Sequence, residues 1–411
     1  ASMMGLAIMT PIGGKLGDLI GRRNLVLVSG VICFSGGMGV VFSQNILMVI
    51  LFRMLLGIGM GTFLSVPYIL AREINEPKDV SKMMGILSSA FASGGLIGSL
   101  LSGYVAKLGF LRLALALPLT PLIIAVILIG FNLPNRKREG KVYIDVKGIV
   151  LLVISLSLII LSLNFAAKIG LTNPKILIGL TLGIIALFIF THVEKKTQEP
   201  VVSVYLFKNK NYVLLLLVGF ACYFYMNAMN IYAPSAVINA FKQPTSVAGT
   251  IQLPRTILTI VLPVFVGTWI SKRKKNFWIS MLLATILVAI PTFILSRSTM
   301  NTSVKFYIAM LSITGIAESF RAVSITPAAQ SFLEIKDLGV GTSLVNFVNT
   351  LAGLIATVAF GIVYDINTKA DPKNAELILK GVNATFLVAA IVSTAGFIFV
   401  LTIVGKLFRE E

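Results

Sequence analysis

Thirteen apolar runs follow one another down this chain, at about 1–17, 25–43, 46–71, 83–106, 110–131, 147–166, 175–193, 212–233, 246–270, 277–295, 304–332, 338–364 and 382–406. A helix rising about 1.5 Å per residue needs roughly 20 residues to cross the ~30 Å hydrocarbon layer of a bilayer. No water is there to satisfy a peptide group, so each run must close its hydrogen bonds within itself, as a helix does. Only 12% of the 411 residues are charged, about half the share of a soluble domain. The expected class is an all-α membrane protein with thirteen transmembrane helices.

The formal charge of +19 would suit a nucleic-acid partner, but the basic residues sit in the short breaks between apolar runs. That is the distribution of cytoplasmic loops, so no nucleic acid is expected. With the break at Lys15–Arg23 placed in the cytoplasm, alternation puts 22 of the 35 lysines and arginines on that side, 10 outside and three within the runs. RKREGK (136–141), KNK (208–210) and KRKK (272–275) all fall on the cytoplasmic side, as does the C-terminus. The chain opens at Ala1 inside an apolar run, without the basic segment of a signal peptide. One further helix upstream is therefore expected, making fourteen. Cys33 and Cys222 both lie inside apolar runs, and His192 is the single histidine. Neither a disulfide framework nor a metal site is expected, and no cofactor.

An internal repeat organises the runs. GGLIGSLLSGYV (94–105) aligns with AGLIATVAFGIV (352–363) at an offset of 258, and LGIGMG (56–61) falls over TGIAES (314–319) at the same offset. GKLGDLIGRRN (14–24) lies over GTWISKRKKN (267–276) at a similar offset with one gap. Three matches in order indicate duplication, and parallel repeats about an axis along the membrane normal are a transporter architecture. The runs at 147–166 and 175–193 fall between the repeats as a two-helix insert. The division is therefore 1–133 for an N-terminal bundle, 134–210 for loops and insert, and 211–411 for a C-terminal bundle.

The stretch GKLGDLIGRR, Gly14 to Arg23, resembles the cytoplasmic loop signature of the major facilitator superfamily, Gly-x-x-x-Asp-x-x-Gly-Arg-Arg/Lys. With two helices inserted after the sixth, the chain is similar to the fourteen-spanner drug:proton antiporters, lacking the first helix. Leu19 departs from the pattern, which usually has a basic residue there. Physically, Gly14 and Gly17 permit close helix approach, and Gly21 permits a tight turn. Asp18 can face a helix N-terminus or pair with Arg22. Glu73 is a partner for Arg22 or Arg23. The resemblance implies that this set latches two bundles in one state; on its residues alone it could equally be a loop that only fixes topology.

FRMLLGIGMG places Arg53 about two turns into the third run, with Gly57 and Gly61 following on one face. It resembles the family's fourth-helix motif, whose arginine is implicated in proton transfer; the alternative is an arginine snorkelling to the headgroups. ASGGLIGSLLSG (92–103) resembles the antiporter signature of the fifth helix, Gly-Pro-x-x-Gly-Gly, with Gly95 in the place of the proline and Ser99 in that of the last glycine. Gly94, Gly98 and Ser102 still recur every four residues, a face for helix packing.

Acids nearly vanish from the runs. Glu318 alone lies near a centre, with Arg321 three residues on and on the same face. Such an acid is a candidate for proton coupling or ligand binding; a static ion pair is the alternative. Arg255, Asn227, Asn230, Tyr225, Asn346 and Asn349 add polar groups for a pocket, or merely interhelical hydrogen bonds. The resulting expectation is a secondary active transporter in a bacterial cell membrane, exporting lipophilic small molecules or drugs by proton antiport. Glu318 and Arg53 would carry the proton. Its partners are then a small-molecule substrate, protons and membrane lipid. Three arginines against one acid within the runs suit neutral or anionic substrates. A metabolite uniporter or symporter and a non-transporting sensor are the alternatives. The runs hold no nucleophile–base pair, which argues against an enzyme.

Overall fold

The computed structural model describes residues 2–134, 145–170, 172–197, 200–202 and 204–409. The expected basic run at 136–141 lies outside them. Among the described residues there is no strand. The helical spans are α1 (Ser2–Ile20), α2 (Arg22–Val41), α3 (Ile46–Ile74), α4 (Val80–Lys107), α5 (Leu111–Asn132), α6 (Val146–Ile169), α7 (Pro174–Glu194), α8 (Lys210–Ala240), α9 (Val247–Ile270), α10 (Lys275–Leu295), α11 (Val304–Ser331), α12 (Leu338–Thr368) and α13 (Ala375–Phe408). Twelve of these, α2–α13, are long and apolar enough to cross a membrane. The shorter α1, carrying Lys15 and Asp18 toward its end, packs as a thirteenth against α3 and α12.

Polar caps start many helices where the apolar runs begin. The side chains of Asn45, Asp145, Asn173, Asn209, Ser303 and Asn374 each accept a hydrogen bond from a backbone N–H in the first turn, satisfying donors that have no partner inside the helix. Two spans are not continuous α-helix. In α5 the chain breaks between Leu111–Ala116 and Leu119–Asn132, at Pro118. In α8 the π-helical turns Ala228–Tyr232 and Ala236–Ala240 flank Pro234, which has no N–H to continue the ladder.

Packing follows the repeat. On one side α1, α2, α3 and α5 pack together; on the other, α8 to α13 do. The halves meet chiefly through two helix pairs, α1 with α12 and α4 with α9, with lesser contacts of α4 with α11 and of α3 with α11 and α12. The 258-residue offset that carries α4 onto α12 also carries α1 toward α9, so the duplication exchanges one pair for the other. The hairpin of α6 and α7 packs on itself, and α6 lies against both α1 and α12, beside the seam.

The seam is tight at the end bearing the basic loops. A Cβ on Gly14 would stand 2.4 Å from the Gly339 carbonyl, one on Gly85 2.4 Å from the Pro263 carbonyl, and one on Gly267 2.3 Å from the Ser81 carbonyl. Glycine is required at each, because backbone cannot yield as a side-chain tip can. Two side-chain hydrogen bonds cross here: Gln330 Nε2 donates to the Tyr68 carbonyl at 3.1 Å, and Asn346 Nδ2 to Ser65 Oγ at 3.4 Å. At the other end the helices diverge. Gly94, Gly95, Gly98 and Gly103 of α4, and Gly249 next to the start of α9, face open space.

Candidate functional site

Two clusters of charge stand out. The first lies at the basic end of the seam. Gly21 joins α1 to α2 with φ of 88°, a conformation strained for any residue with a Cβ. The sharp turn brings Arg22 back over α1, where it is buried at 6% exposure. Arg22 Nη2 donates to Asp18 Oδ1 at 2.5 Å and to Glu73 Oε1 at 3.1 Å, and Nη1 donates to the Gly14 carbonyl at 3.2 Å. Glu73 thus partners Arg22; Arg23, the alternative, has a buried Nε with no partner. A Cβ on Gly339 would stand 2.8 Å from both Asp18 carboxylate oxygens. Asp18 therefore faces the second residue of α12, whose unpaired N–H groups favour a negative charge. Of the two partners open to Asp18 from sequence, Arg22 is bonded directly and the start of α12 lies beside it.

The second cluster is mid-span. Arg321 Nε donates to Glu318 Oε2 at 2.9 Å and Arg321 Nη2 donates to Glu318 Oε1, a bidentate pair. Tyr225 of α8 donates its hydroxyl to Glu318 Oε2 at 3.2 Å. The Arg321 guanidinium lies over the Tyr223 ring, 4.9 Å from its centroid, and each member of the ion pair retains 14% of its side-chain surface exposed. On the other side of Tyr225, Arg255 stands 5.9 Å from the ring centroid. Its Nη1 donates to Asn230 Oδ1 at 3.1 Å and its Nη2 approaches Met226 Sδ at 3.2 Å. Asn230 is carried by the first π-helical turn of α8, and such turns recur at functional sites. Gly315 lets α11 close on α9: a Cβ there would be 2.6 Å from the Arg255 carbonyl. The order across the site is Arg321, Glu318, Tyr225, Arg255, Asn230.

The remaining expectations are placed elsewhere. Asn227 donates to the Gly353 carbonyl at 2.8 Å and Thr357 Oγ1 at 2.6 Å, tying α8 to α12. Asn346 belongs to the seam, and Asn349 lies where α12 passes Gly219 of α8. Asn227 and Asn346 thus join helices, while the buried Asn349 Oδ1 has no hydrogen-bond partner among the described residues. Arg53 is exposed and has no hydrogen bond or ion pair among the described residues, so it is not brought together with Glu318. At Gly94, Gly95 and Gly98, where a packing face was expected together with Ser99, no described atom lies within 4 Å of an added Cβ, and Ser99 Oγ bonds the Leu96 carbonyl of its own helix.

Some participants went unread in the sequence. Tyr68 of α3 comes within electrostatic reach of Arg321 and Glu318 from the opposite half. Gln252, one turn before Arg255, donates to the Met229 carbonyl at 2.7 Å, and its Oε1 is buried without a partner. A polar residue inside an apolar run was the available signal for Gln252; Tyr68 offered none. Among the described residues no group of three or more metal-ligating side chains forms.

A family model described as Major Facilitator Superfamily matches residues 1–357. The multidrug transporter protein MdtP of Bacillus subtilis (strain 168) is 28% identical over 359 residues, covering 86% of this chain and 65% of that protein. Multidrug resistance protein 3 of the same organism is 25% identical over 356 residues, covering 86% and 69%. The chain thus spans about two thirds of the length of these relatives. Among solved structures, that of the human organic anion transporter MFSD10 superposes with a TM-score of 0.69 at 15% identity, over 97% of this chain and 82% of that one. This likeness is one of fold.

Proposed function

The chain belongs to the Major Facilitator Superfamily, and on that premise we propose that it is a secondary active transporter that exports lipophilic small molecules by alternating access, in antiport with protons exchanged at Glu318. One observation carries the reading: a mid-span carboxylate held by a bidentate arginine and a tyrosine hydroxyl. A proton on Glu318 removes its charge and with it the hold on Arg321, so the bonds that orient the site depend on protonation. The two Bacillus subtilis relatives, a multidrug transporter and a multidrug resistance protein, support drug efflux as the direction.

The basic end is the cytoplasmic one in this reading, because lysine and arginine concentrate there, and the C-terminus lies on the same side of a cell membrane. The closed seam then represents the outward-facing state. Arg22, Asp18, Glu73 and Gly339 form a latch that must part before the site opens to the cytoplasm.

Proteoliposomes with an imposed pH gradient and a lipophilic fluorescent dye test the proposal. Uphill dye movement should require the gradient, and Glu318→Gln should lose it while keeping downhill exchange. Gradient-driven transport at the parent's rate in Glu318→Gln would remove Glu318 from the coupling. Dye movement indifferent to the gradient in the parent would indicate a uniporter.

A further inference from the structure

The two guanidiniums of the mid-span cluster are not equivalent. Arg321 has a carboxylate on two of its nitrogens. Arg255 is just as deep, 8% exposed, yet no carboxylate lies within ion-pair distance of it among the described residues. Its partners are an amide oxygen, a thioether and the face of an aromatic ring, all neutral. Its Nε–H is buried and makes no hydrogen bond. Glu318 is the nearest acid and is already engaged bidentately by Arg321, so the cluster holds one negative charge and two positive ones.

A buried charge left without a counter-charge costs several kcal/mol, and Arg22, the other buried arginine among the described residues, is met by two carboxylates. The structure assigns Arg255 as the docking point for an anionic group of the substrate, a carboxylate or similar oxyanion on a lipophilic body. A planar guanidinium offers five donors in a fork that matches a carboxylate edge, and the unpartnered Nε–H is one of them. Gln252, one turn away on α9, and Asn230 stand beside it to fix orientation. Met226 and Tyr223, both partly exposed, supply the apolar and aromatic surface that a lipophilic body needs. A cationic substrate meets the opposite arrangement, a net positive site. The inference takes the location of the site from the transport reading but concerns binding alone.

The test is equilibrium binding to the purified full-length protein in detergent, without any gradient, using three probes of one shape: 2-naphthoate, its neutral amide 2-naphthamide, and the cation 2-naphthylmethylammonium. The naphthoate should bind about ten- to hundredfold more tightly than the amide, the range of one hydrogen bond to a charged group, and the cation most weakly. Arg255→Gln should abolish the preference for naphthoate over the amide. Arg255→Lys, which keeps the charge and loses the fork, should preserve the preference at reduced size, and it serves if the glutamine variant does not fold. Equal binding of naphthoate and amide by the parent, preference for the cation, or an undiminished naphthoate preference in Arg255→Gln would each overturn the assignment. Loss of gradient-driven transport with these binding preferences intact would break the transport reading alone.

Discussion

The two charge clusters use the same residue types in inverted proportion. At the basic end two carboxylates, Asp18 and Glu73, surround one guanidinium, Arg22. Mid-span, one carboxylate, Glu318, lies between two guanidiniums. Lys15 adds a second positive charge within reach of Asp18, and Asp18 faces the start of α12, which belongs to the other half of the molecule. Its surroundings therefore include both halves. The second cluster lies within α8, α9 and α11, a single half, and its excess positive charge persists whichever end of the seam is open. The proposed latch would accordingly report the state of the protein, and the proposed docking arginine would offer its charge to a ligand.

The contrast is broken most strongly at Glu318. Glu318→Gln leaves Arg321 buried without its carboxylate and should destabilise the protein by about 3 kcal/mol, the lower end of the usual range because the pair keeps some exposure. Denaturation in detergent measures it, and Glu318→Gln with Arg321→Gln should recover most of the loss. No loss in the single variant would mean that the pair contributes nothing to folding.

Gly339→Ala comes next. Its Cβ would press on both oxygens of Asp18 and on Arg22, so the closed seam should lose about 1–3 kcal/mol while the mid-span cluster is untouched. A cysteine at Ser65, buried beneath α12, should then react faster with a permeant maleimide than in the Gly339 parent. An unchanged rate would show that the seam does not open at this point.

Asp18→Asn removes charge without adding bulk. Expression should hold while transport falls, since a bias of about 1.4 kcal/mol already changes a two-state ratio tenfold. Transport equal to the parent's would reduce the whole edge cluster to a topology signal. Lys274→Cys, on the exposed loop between α9 and α10, should change stability least, by under about 0.5 kcal/mol. It should resist an impermeant thiol reagent added outside intact cells. Labelling as ready as that of a cysteine at Lys373 would invert the orientation.

The clusters differ also in how far they could be read from sequence. The edge cluster was legible because its members sit in one short motif, with Glu73 at the end of a neighbouring span. The Glu318–Arg321 pair was legible because a spacing of three places both on one face of a helix. What escaped is rotation. A helix apolar on all sides gives no stripe to say which face meets lipid and which meets protein, so the choice between a proton-carrying and a snorkelling Arg53, and between pocket and helix-joining asparagines, stayed open in the sequence. The same lack hid the open face of α4 and the approach of Tyr68 from the other half. The fold itself was carried by span lengths and the 258-residue repeat, both of which survive without knowledge of rotation.

The unequal count of charges at Glu318, Arg321 and Arg255 has an electrical consequence. In alternating access the site is connected first to one side of the membrane and then to the other, so its net charge crosses the membrane voltage even though the residues scarcely move. A net charge of +1 crossing the full field is worth about 2.3 kcal/mol per 100 mV. With the cell interior negative, the voltage draws the empty site toward the cytoplasm, where cargo for export would be met. Once an anion neutralises the site, the outward step carries no charge and the same voltage no longer opposes it. Empty cycling would then give only transient charge movement under voltage clamp, because the +1 that moves inward moves back out, whereas a cycle that carries an anion outward and returns empty would pass a steady current.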